Sequence, residues 1–222
     1  MDISRLHFTS QNVSMLAIFI LIHPDGTHTG IIHRNRETLF TLDLMWHEML
    51  RSSILDKDYA CVVPGLEPEE ENDVLGMCRL IEARNRAPNP QKIPYAVGSP
   101  SNTRFNRDGE LILGDAIGLT CSTFVLTVFE SAAVPLADLT GWVARPDDDE
   151  RHQQLLQKMT DGIPGFAPPA DPTHVQRVRA SLPCIRVRPE EVAGAALSTH
   201  LPAEFVNAES AGRQILELVP AV

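Results

Sequence analysis

The sequence contains few cysteines, and none of them belongs to a short metal-binding or redox motif. The four in its 222 residues are Cys61, Cys78, Cys121 and Cys184, and no two of them form a CxxC pair. This spacing argues against a zinc ribbon or a thioredoxin-like motif. A chain of this length can bury a full core without disulfides or metals. Scattered cysteines are typical of a reduced, intracellular protein. We expect all but Cys121 to be structural, buried thiols.

The sequence also lacks a run of basic residues and a long apolar segment. Its net charge is −10 and its 19 basic residues are scattered, which argues against a nucleic-acid partner. The longest apolar run, MLAIFILI at 15–22, is too short to span a bilayer. The turn residues HPDG at 23–26 follow it, where a signal peptide would have a small-residue cleavage site. We therefore expect a buried strand, no membrane span and a cytoplasmic location.

Hydrophobic spacing and turn residues predict a mixture of strands and helices. Predicted strands cover 13–22, 27–33, 38–44, 59–63 and 185–187. Predicted helices cover 46–54, 68–85, 121–132, 147–159, 173–181 and 203–218. An irregular segment rich in Pro and Asn, as long as an active-site loop, lies between the second and third helices. The pattern favours an α+β fold with a core over 1–145 and a helical and strand extension over 146–222 packed on the same domain.

Cys121 stands in the first turn of the helix predicted from 121. Unpaired backbone N–H groups and the helix dipole favour an anion there. The position therefore lowers the pKa of a thiol and can stabilise an oxyanion during acyl transfer. Gly118, just upstream, permits a tight entry turn. Free cysteines are also among the most buried residue types, so the helix alone leaves Cys121 open between a core thiol and a nucleophile.

A nucleophilic cysteine needs a base, and His28 is the histidine best placed to supply it. If the hairpin over 27–44 turns at 35–36, His28 faces Asp43 across the two strands, with Cβ atoms about 4.5–5.5 Å apart. A carboxylate there would hold the imidazole tautomer and stabilise its charged form. A register slip of two would bring in Thr41 instead. Asp43 could also cap the helix predicted at 46–54, and His28 could be a surface histidine.

The remaining histidines carry weaker signals. His47 lies in WHEML, half of an HExxH motif, but Arg51 stands where the second histidine is required. His33 lies at an odd offset from His28 and therefore points to the opposite face of the strand. We expect the histidines in polar or loop sequence to be solvated; these are His152, His174 and His200.

Several short motifs together resemble the circularly permuted NlpC superfamily. They are THTGII at 27–32, IPYAVG at 93–98 and TCSTFVLTVFESAAVPL at 120–136. This papain-like group includes YiiX-like and lecithin-retinol-acyltransferase-like proteins, and the permutation requires the order His, polar residue, Cys. The resemblance covers roughly residues 13–135. Thr120 departs from it, since an acidic residue usually precedes the cysteine, and the loop between Tyr95 and Cys121 is long.

The resemblance implies a fold and a set of roles. The fold would be papain-like, with an antiparallel sheet packed against a helix that carries the cysteine at its N-terminus. Cys121 would be the nucleophile, His28 the base and Asp43 the orienting group. Tyr95 and Ser122 would contact the substrate.

We therefore expect a cysteine hydrolase or acyltransferase that works through an acyl-thioester and needs no metal or cofactor. A peptide, a peptidoglycan stem or a lipid amide would be a compatible substrate. A papain-like binding or scaffold module without catalysis is the alternative. A metallohydrolase built on His28 and Asp43 is a third interpretation, for which further ligand spacing is missing.

Overall fold

An antiparallel sheet of six strands forms the centre of the structure. The computed structural model describes residues 2–10, 13–23, 26–98 and 100–221, so part of the turn expected at 23–26 lies outside the described residues. The strands are β1 (Leu6–His7), β2 (Leu16–His23), β3 (Gly26–Asn35), β4 (Thr38–Trp46), β5 (Met49–Ile54) and β6 (Ala60–Val62). They lie in the order β1–β6–β2–β3–β4–β5, and each neighbouring pair is antiparallel. A small hairpin of β7 (Arg104–Phe105) and β8 (Leu111–Ile112) lies within the segment expected to be irregular.

Six α-helices accompany the sheet in the described part of the chain. They are α1 (Pro68–Asn85), α2 (Cys121–Ser131), α3 (Pro146–Asp161), α4 (Pro172–Ala180), α5 (Pro189–Ala196) and α6 (Phe205–Leu218). The predicted α+β class is confirmed, and every helix except α5 has a predicted counterpart with similar bounds. α5 carries recognisable start signals, since Pro189 occupies its first position and Glu190 and Glu191 follow in the first turn.

The helix predicted at 46–54 is wrong, because this segment forms β5 and pairs with β4. The chain reverses at 47–48, where Glu48 adopts a positive φ of 58°. Apolar residues at 46, 49 and 50 fit a helical period, but periodicity alone does not separate a short helix from a strand. The pairing places Arg51 directly opposite Asp43. Asp43 is therefore a mid-strand residue and caps no helix.

The strand predicted at 185–187 is also wrong. This segment is extended but has no strand partner among the described residues. The carbonyl of Arg186 instead accepts a hydrogen bond of 2.7 Å from the Arg145 side chain, and Val187 is buried in the core. The Arg145 side chain thus supplies the hydrogen bond that a neighbouring strand would otherwise donate to this carbonyl.

The main core lies between one face of the sheet and the helices. Ile18, Ile31 and Leu42 pack there with apolar residues of α1, α2, α5 and α6. Residues beyond 146 thus complete the same core as the sheet, while the division at 145/146 stays a prediction. A smaller cluster joins α3 and α4 to Trp46 and Val97. No helix in the described ranges is long and apolar enough to cross a membrane.

Candidate active site

Cys121 is the first residue of α2, as predicted, and the backbone around it is firmly held. Thr120 is the N-cap: its Oγ1 accepts a hydrogen bond of 3.1 Å from the Thr123 N–H, and its own N–H donates to Thr123 Oγ1 at 2.8 Å. This reciprocal cap leaves the N–H groups of Cys121 and Ser122 for other partners. Cys121 is only 5% exposed.

The segment around Tyr95 lies against the start of α2. Tyr95 and Leu119 form a parallel bridge, in which the Leu119 N–H donates to the Pro94 carbonyl at 2.9 Å. A Cβ atom at Gly118 would lie 2.4 Å from that carbonyl oxygen. Glycine is therefore required at 118 for the close approach of two segments, and not for the tight turn that the sequence suggested.

His28 and Asp43 are in contact, although the predicted register is wrong by two residues. The hairpin turns at 36–37, one residue later than expected, so that Ile31 pairs with Leu42. Asp43 then lies opposite the residue two positions beyond His28, and the two side chains are diagonal neighbours. His28 Nε2 nevertheless lies 2.7 Å from Asp43 Oδ2.

Gly30, which lies opposite Asp43, leaves the space for this diagonal contact. A Cβ atom at this position would lie 2.4 Å from Asp43 Cβ and 2.6 Å from the ring of Phe19. His28 reaches Asp43 across the volume that a side chain at 30 would fill. Glycine inside a strand often marks such a close approach, and the glycine in THTGII is the signal that could have identified it.

Arg51 holds the other side of the Asp43 carboxylate. Its Nε donates to Oδ1 at 2.9 Å and its NH2 group donates to Oδ2 at 3.1 Å, a bidentate arrangement. Asp43 is fully buried. Thr41, the alternative orienting residue, instead shares a hydrogen bond of 3.0 Å with the Ser53 hydroxyl. The sequence does not identify Arg51 as a partner of Asp43, because it predicts a helix at 46–54. The pairing of β5 with β4 brings the two side chains together.

Cys121 meets His28 at an opening in the sheet. The described ladder between β3 and β4 stops short of residues 26–30, which pair with β2 alone. There the Cys121 sulfur lies close to the His28 ring and to the Thr29 backbone N–H, both of which act to lower its pKa. Because Nε2 of His28 is bound to Asp43, Nδ1 is the ring nitrogen left for the thiol.

The contact between Cys121 and His28 favours the charged forms of both. Burial acts to lower the pKa of His28, but the negative charge of Cys121 and the hydrogen bond to Asp43 outweigh it and raise the pKa to about 10. Burial acts to raise the pKa of Cys121, but the charge of His28 and hydrogen bonds from His28, Thr29 and Tyr95 lower it below its ordinary value. The contact therefore shifts the pair toward a thiolate and an imidazolium.

Tyr95 and Ser122, the two predicted substrate contacts, both lie beside Cys121. The Tyr95 hydroxyl lies beside the Cys121 sulfur and backbone N–H, and it acts to lower the pKa of Cys121. Burial and the charge of Cys121 raise the pKa of Tyr95 well above its ordinary value, so the phenol stays a neutral donor. Trp46 stacks on the Tyr95 ring at 5.0 Å. Ser122 is 1% exposed, and its Oγ has no hydrogen-bond partner among the described residues.

Two histidines that the sequence placed outside the site hold the backbone of Tyr95. The Tyr95 N–H donates to His47 Nδ1 at 3.2 Å, and His174 Nε2 donates to the Tyr95 carbonyl at 2.8 Å. Their rings lie 4.5 Å apart. The expectation that His174 is solvated is wrong. Burial, with the neighbouring charge of His174, lowers the pKa of His47.

The other cysteines are not activated. Burial raises the pKa of Cys61 to about 12 and that of Cys78 still further. Cys184 lies 3.9 Å from Nε2 of His152, yet burial and nearby carboxylates raise its pKa to about 11. The expectation that His152 is solvated is wrong, since it is 1% exposed.

A cavity of about 120 Å³ opens beside Cys121, between the start of α2 and α3. A larger cavity of about 670 Å³ lies along the other half of α2, near Leu126, Thr127 and Glu130. The larger one does not include Cys121, so the small cavity is the one that Cys121 lines. Within the described ranges, no group of three His, Cys, Asp or Glu side chains is placed to hold a metal ion.

This arrangement combines a thiol whose ionised form is favoured, a histidine fixed by a carboxylate, and a hydroxyl group at the start of a helix. Such a set can attack a carbonyl carbon and protonate a leaving group. No protein-family model matches the chain, and no curated protein or solved structure matches it, so these contacts are the basis for assigning a function.

Proposed function

We propose that this protein is a cysteine hydrolase or acyltransferase that acts on peptide or other amide bonds through an acyl-thioester. The observation that carries the proposal is the continuous set of contacts from the Cys121 sulfur through the His28 ring to Asp43 Oδ2, the last of 2.7 Å. A buried Cys–His contact whose histidine is fixed by a third group is the arrangement that activates a sulfur nucleophile.

The fold that we propose for this activity is the permuted papain-like fold. Its support is the chain order of His28, Asp43 and Cys121 together with an antiparallel sheet packed against α2. Tyr95, from the stretch that resembles the segment preceding the nucleophile, touches the Cys121 sulfur. These features agree with the resemblance in the residues that would carry the chemistry.

In the acylation step, the Cys121 thiolate attacks the carbonyl carbon of the substrate. A sulfur–carbon bond forms, and the carbonyl π electrons move to the oxygen. The N–H groups at the start of α2 and the Tyr95 hydroxyl are the nearest donors for this oxyanion. The His28 imidazolium then gives its proton to the leaving nitrogen as the carbon–nitrogen bond breaks.

In the second step, neutral His28 removes a proton from water or from another acceptor. The acceptor oxygen or nitrogen bonds to the acyl carbon, and the sulfur leaves as a thiolate beside the restored imidazolium. Asp43, held by Arg51, keeps the His28 ring in place through both steps. Hydrolysis and acyl transfer differ only in the acceptor. Peptides, peptidoglycan stems and lipid amides are the substrate classes proposed.

The proposal is tested by trapping the acyl-enzyme with p-nitrophenyl acetate. We expect one acetyl group on Cys121, found by peptide mass spectrometry after an acid quench, with release of p-nitrophenolate. Cys121→Ala should lose the adduct. The Asp43→Asn variant, similar in shape but uncharged, should form it more slowly because the ring loses its anionic partner.

Cys61, Cys78 and Cys184 serve as internal controls in the same digest. Acetylation of Cys121 no faster than of Cys184, or unchanged p-nitrophenolate release by Cys121→Ala, would contradict the proposal. Either result would favour the papain-like binding module instead.

A further inference from the structure

The small cavity beside Cys121 carries positive charge. Arg151, Lys158 and Arg186 line it, and none of the described lining residues is an aspartate or a glutamate. The chain as a whole has a net charge of −10, so a cavity with basic but no acidic lining residues runs against its general composition. Trp46 and Tyr95 supply an apolar wall.

Two carboxylates near this cavity, those of Asp148 and Glu190, already have other partners. Asp148 lies 3.8 Å from Arg186, but it also binds Arg188 at 3.1 Å. It lies 3.4 Å from Arg145 as well. Glu190 accepts a hydrogen bond of 2.9 Å from a threonine at the rim. Asp148 is thus divided among three guanidinium groups, which leaves the positive charge of Arg186 incompletely matched.

Two buried polar atoms on the cavity wall have no partner among the described residues. They are Ser122 Oγ and His152 Nδ1, and both residues are 1% exposed. Buried polar groups almost always form hydrogen bonds, so an unpartnered pair on one wall calls for an explanation. Both atoms can act as donors, which is what the oxygens of an anion require.

We propose that this cavity binds a small anionic group of the substrate, a carboxylate or a phosphate carried close to the scissile bond. Arg186 and Lys158 supply the charge, and Ser122 and His152 supply further donors. Guanidinium groups bind both kinds of anion through paired hydrogen bonds. The volume of about 120 Å³ has room for such a group. This inference rests on Cys121 as the nucleophile and names the substrate class as acidic acyl compounds.

Burial and the neighbouring charges of Arg188 and Arg151 lower the pKa of Arg186. An anion beside the Arg186 guanidinium would offset these effects and stabilise its positive charge.

The test compares two alkylating reagents that differ in charge, iodoacetate and iodoacetamide. In both reactions the Cys121 sulfur bonds to the CH₂ carbon and iodide leaves. The ratio of the two rate constants at Cys121 measures attraction of the carboxylate. The His28 imidazolium also attracts iodoacetate, so the decisive quantity is the change in this ratio when cavity charges are removed.

We expect Arg186→Gln to lower the ratio about five- to tenfold, the effect of one charge at short range in a partly solvated site. Lys158→Gln, on a half-buried side chain, should lower it about twofold. Arg213→Gln removes the same charge from an exposed position of α6 outside the cavity lining and should leave the ratio unchanged. Raising the salt concentration should weaken the preference. If Arg186→Gln does not fold, Lys158→Gln still provides the test.

The anion site would be overturned if the ratio of rate constants is unchanged by both cavity substitutions, or if it falls equally in Arg213→Gln. A wild-type Cys121 unreactive toward iodoacetamide would instead overturn the proposed nucleophile, so the two failures are distinguishable. Succinate and inorganic phosphate at equal ionic strength then serve as competitors of iodoacetamide. Protection by succinate assigns a carboxylate and protection by phosphate assigns a phosphate, whereas protection by neither contradicts the site.

Discussion

Two Cys–His contacts lie in the described part of the chain, and the pKa of the cysteine is lowered in only one of them. Cys121 meets His28 at the start of α2, and Cys184 lies 3.9 Å from Nε2 of His152. Both histidines are largely buried. The pKa of Cys121 is nevertheless lowered, whereas burial and the charges of Asp148 and Asp149 raise that of Cys184 to about 11.

The difference lies in what surrounds each pair. His28 is bound by Asp43, and the Thr29 N–H and the Tyr95 hydroxyl beside the Cys121 sulfur help to lower its pKa. Burial lowers the pKa of His152, whose Nδ1 has no partner in the described part of the chain. A histidine beside a cysteine is therefore insufficient. A third group must hold the ring, and donors must face the sulfur.

The largest expected difference between the two pairs is in the pH dependence of alkylation. A thiol with a pKa of about 11 is ionised to about one part in ten thousand at pH 7, and this fraction falls tenfold for each lower pH unit. Because its pKa is lowered, Cys121 should stay ionised to a lower pH than Cys184 and lose reactivity as the pH falls through its own lowered pKa. We expect Cys121 to react roughly a hundredfold faster than Cys184 at pH 7, measured with iodoacetamide and peptide mass spectrometry. Parallel profiles for the two would contradict the distinction.

Removing each histidine separates an activating contact from a structural one. His28→Ala removes the main group that lowers the pKa of Cys121, while burial remains, so alkylation of Cys121 at pH 7 should slow roughly tenfold or more. His152→Ala should change the alkylation of Cys184 less than twofold, because that thiol is already protonated. Both rates come from the same digest. Equal effects at the two cysteines would show that the contacts do not differ in kind.

Filling the space at Gly30 tests whether the contact between His28 and Asp43 depends on the absence of a side chain at position 30. Gly30→Ala should lower the free energy of unfolding by about 1–3 kcal/mol, since the added methyl group meets Asp43 and Phe19. Cys121 should also react more slowly, though by less than in His28→Ala. The matched control is Gly76→Ala, in helix α1 with no atom within 4 Å of the new Cβ, which should gain about 0.5–1 kcal/mol. Urea unfolding measures both variants, and a Gly30→Ala protein as stable as wild type would disprove the steric argument.

The sequence predicts helix α2 well because its signals are local. The capping residue, the apolar face and the position of Cys121 all lie within about a dozen residues, and α2 has the expected bounds. Helix α1 is likewise found where the acidic start and basic end place it. Local signals of this kind do not depend on how distant parts of the chain pair or pack.

The contacts of the site depend on pairing, which the sequence specifies less well. A turn one residue later than expected shifts the β3–β4 register by two, and only the glycine at 30 keeps His28 on Asp43. The contact of Arg51 with Asp43 is not predicted from the sequence, because the segment that carries Arg51 fits a helical period. The hydrogen bonds of His47 and His174 to Tyr95 span 48 and 79 positions, and no local pattern encodes them.

The opening between β3 and β4, where Cys121 meets His28, also determines when Cys121 becomes ionised as the chain is synthesised. The strands that carry His28, Asp43 and Arg51 leave the ribosome well before α2 is synthesised. The groups that ionise Cys121 reach it only when α2 docks at that opening. Until then its thiol has no imidazolium beside it and no Tyr95 hydroxyl in place. A nascent chain therefore has no activated sulfur, and ionisation of Cys121 reports that the sheet and α2 have come together.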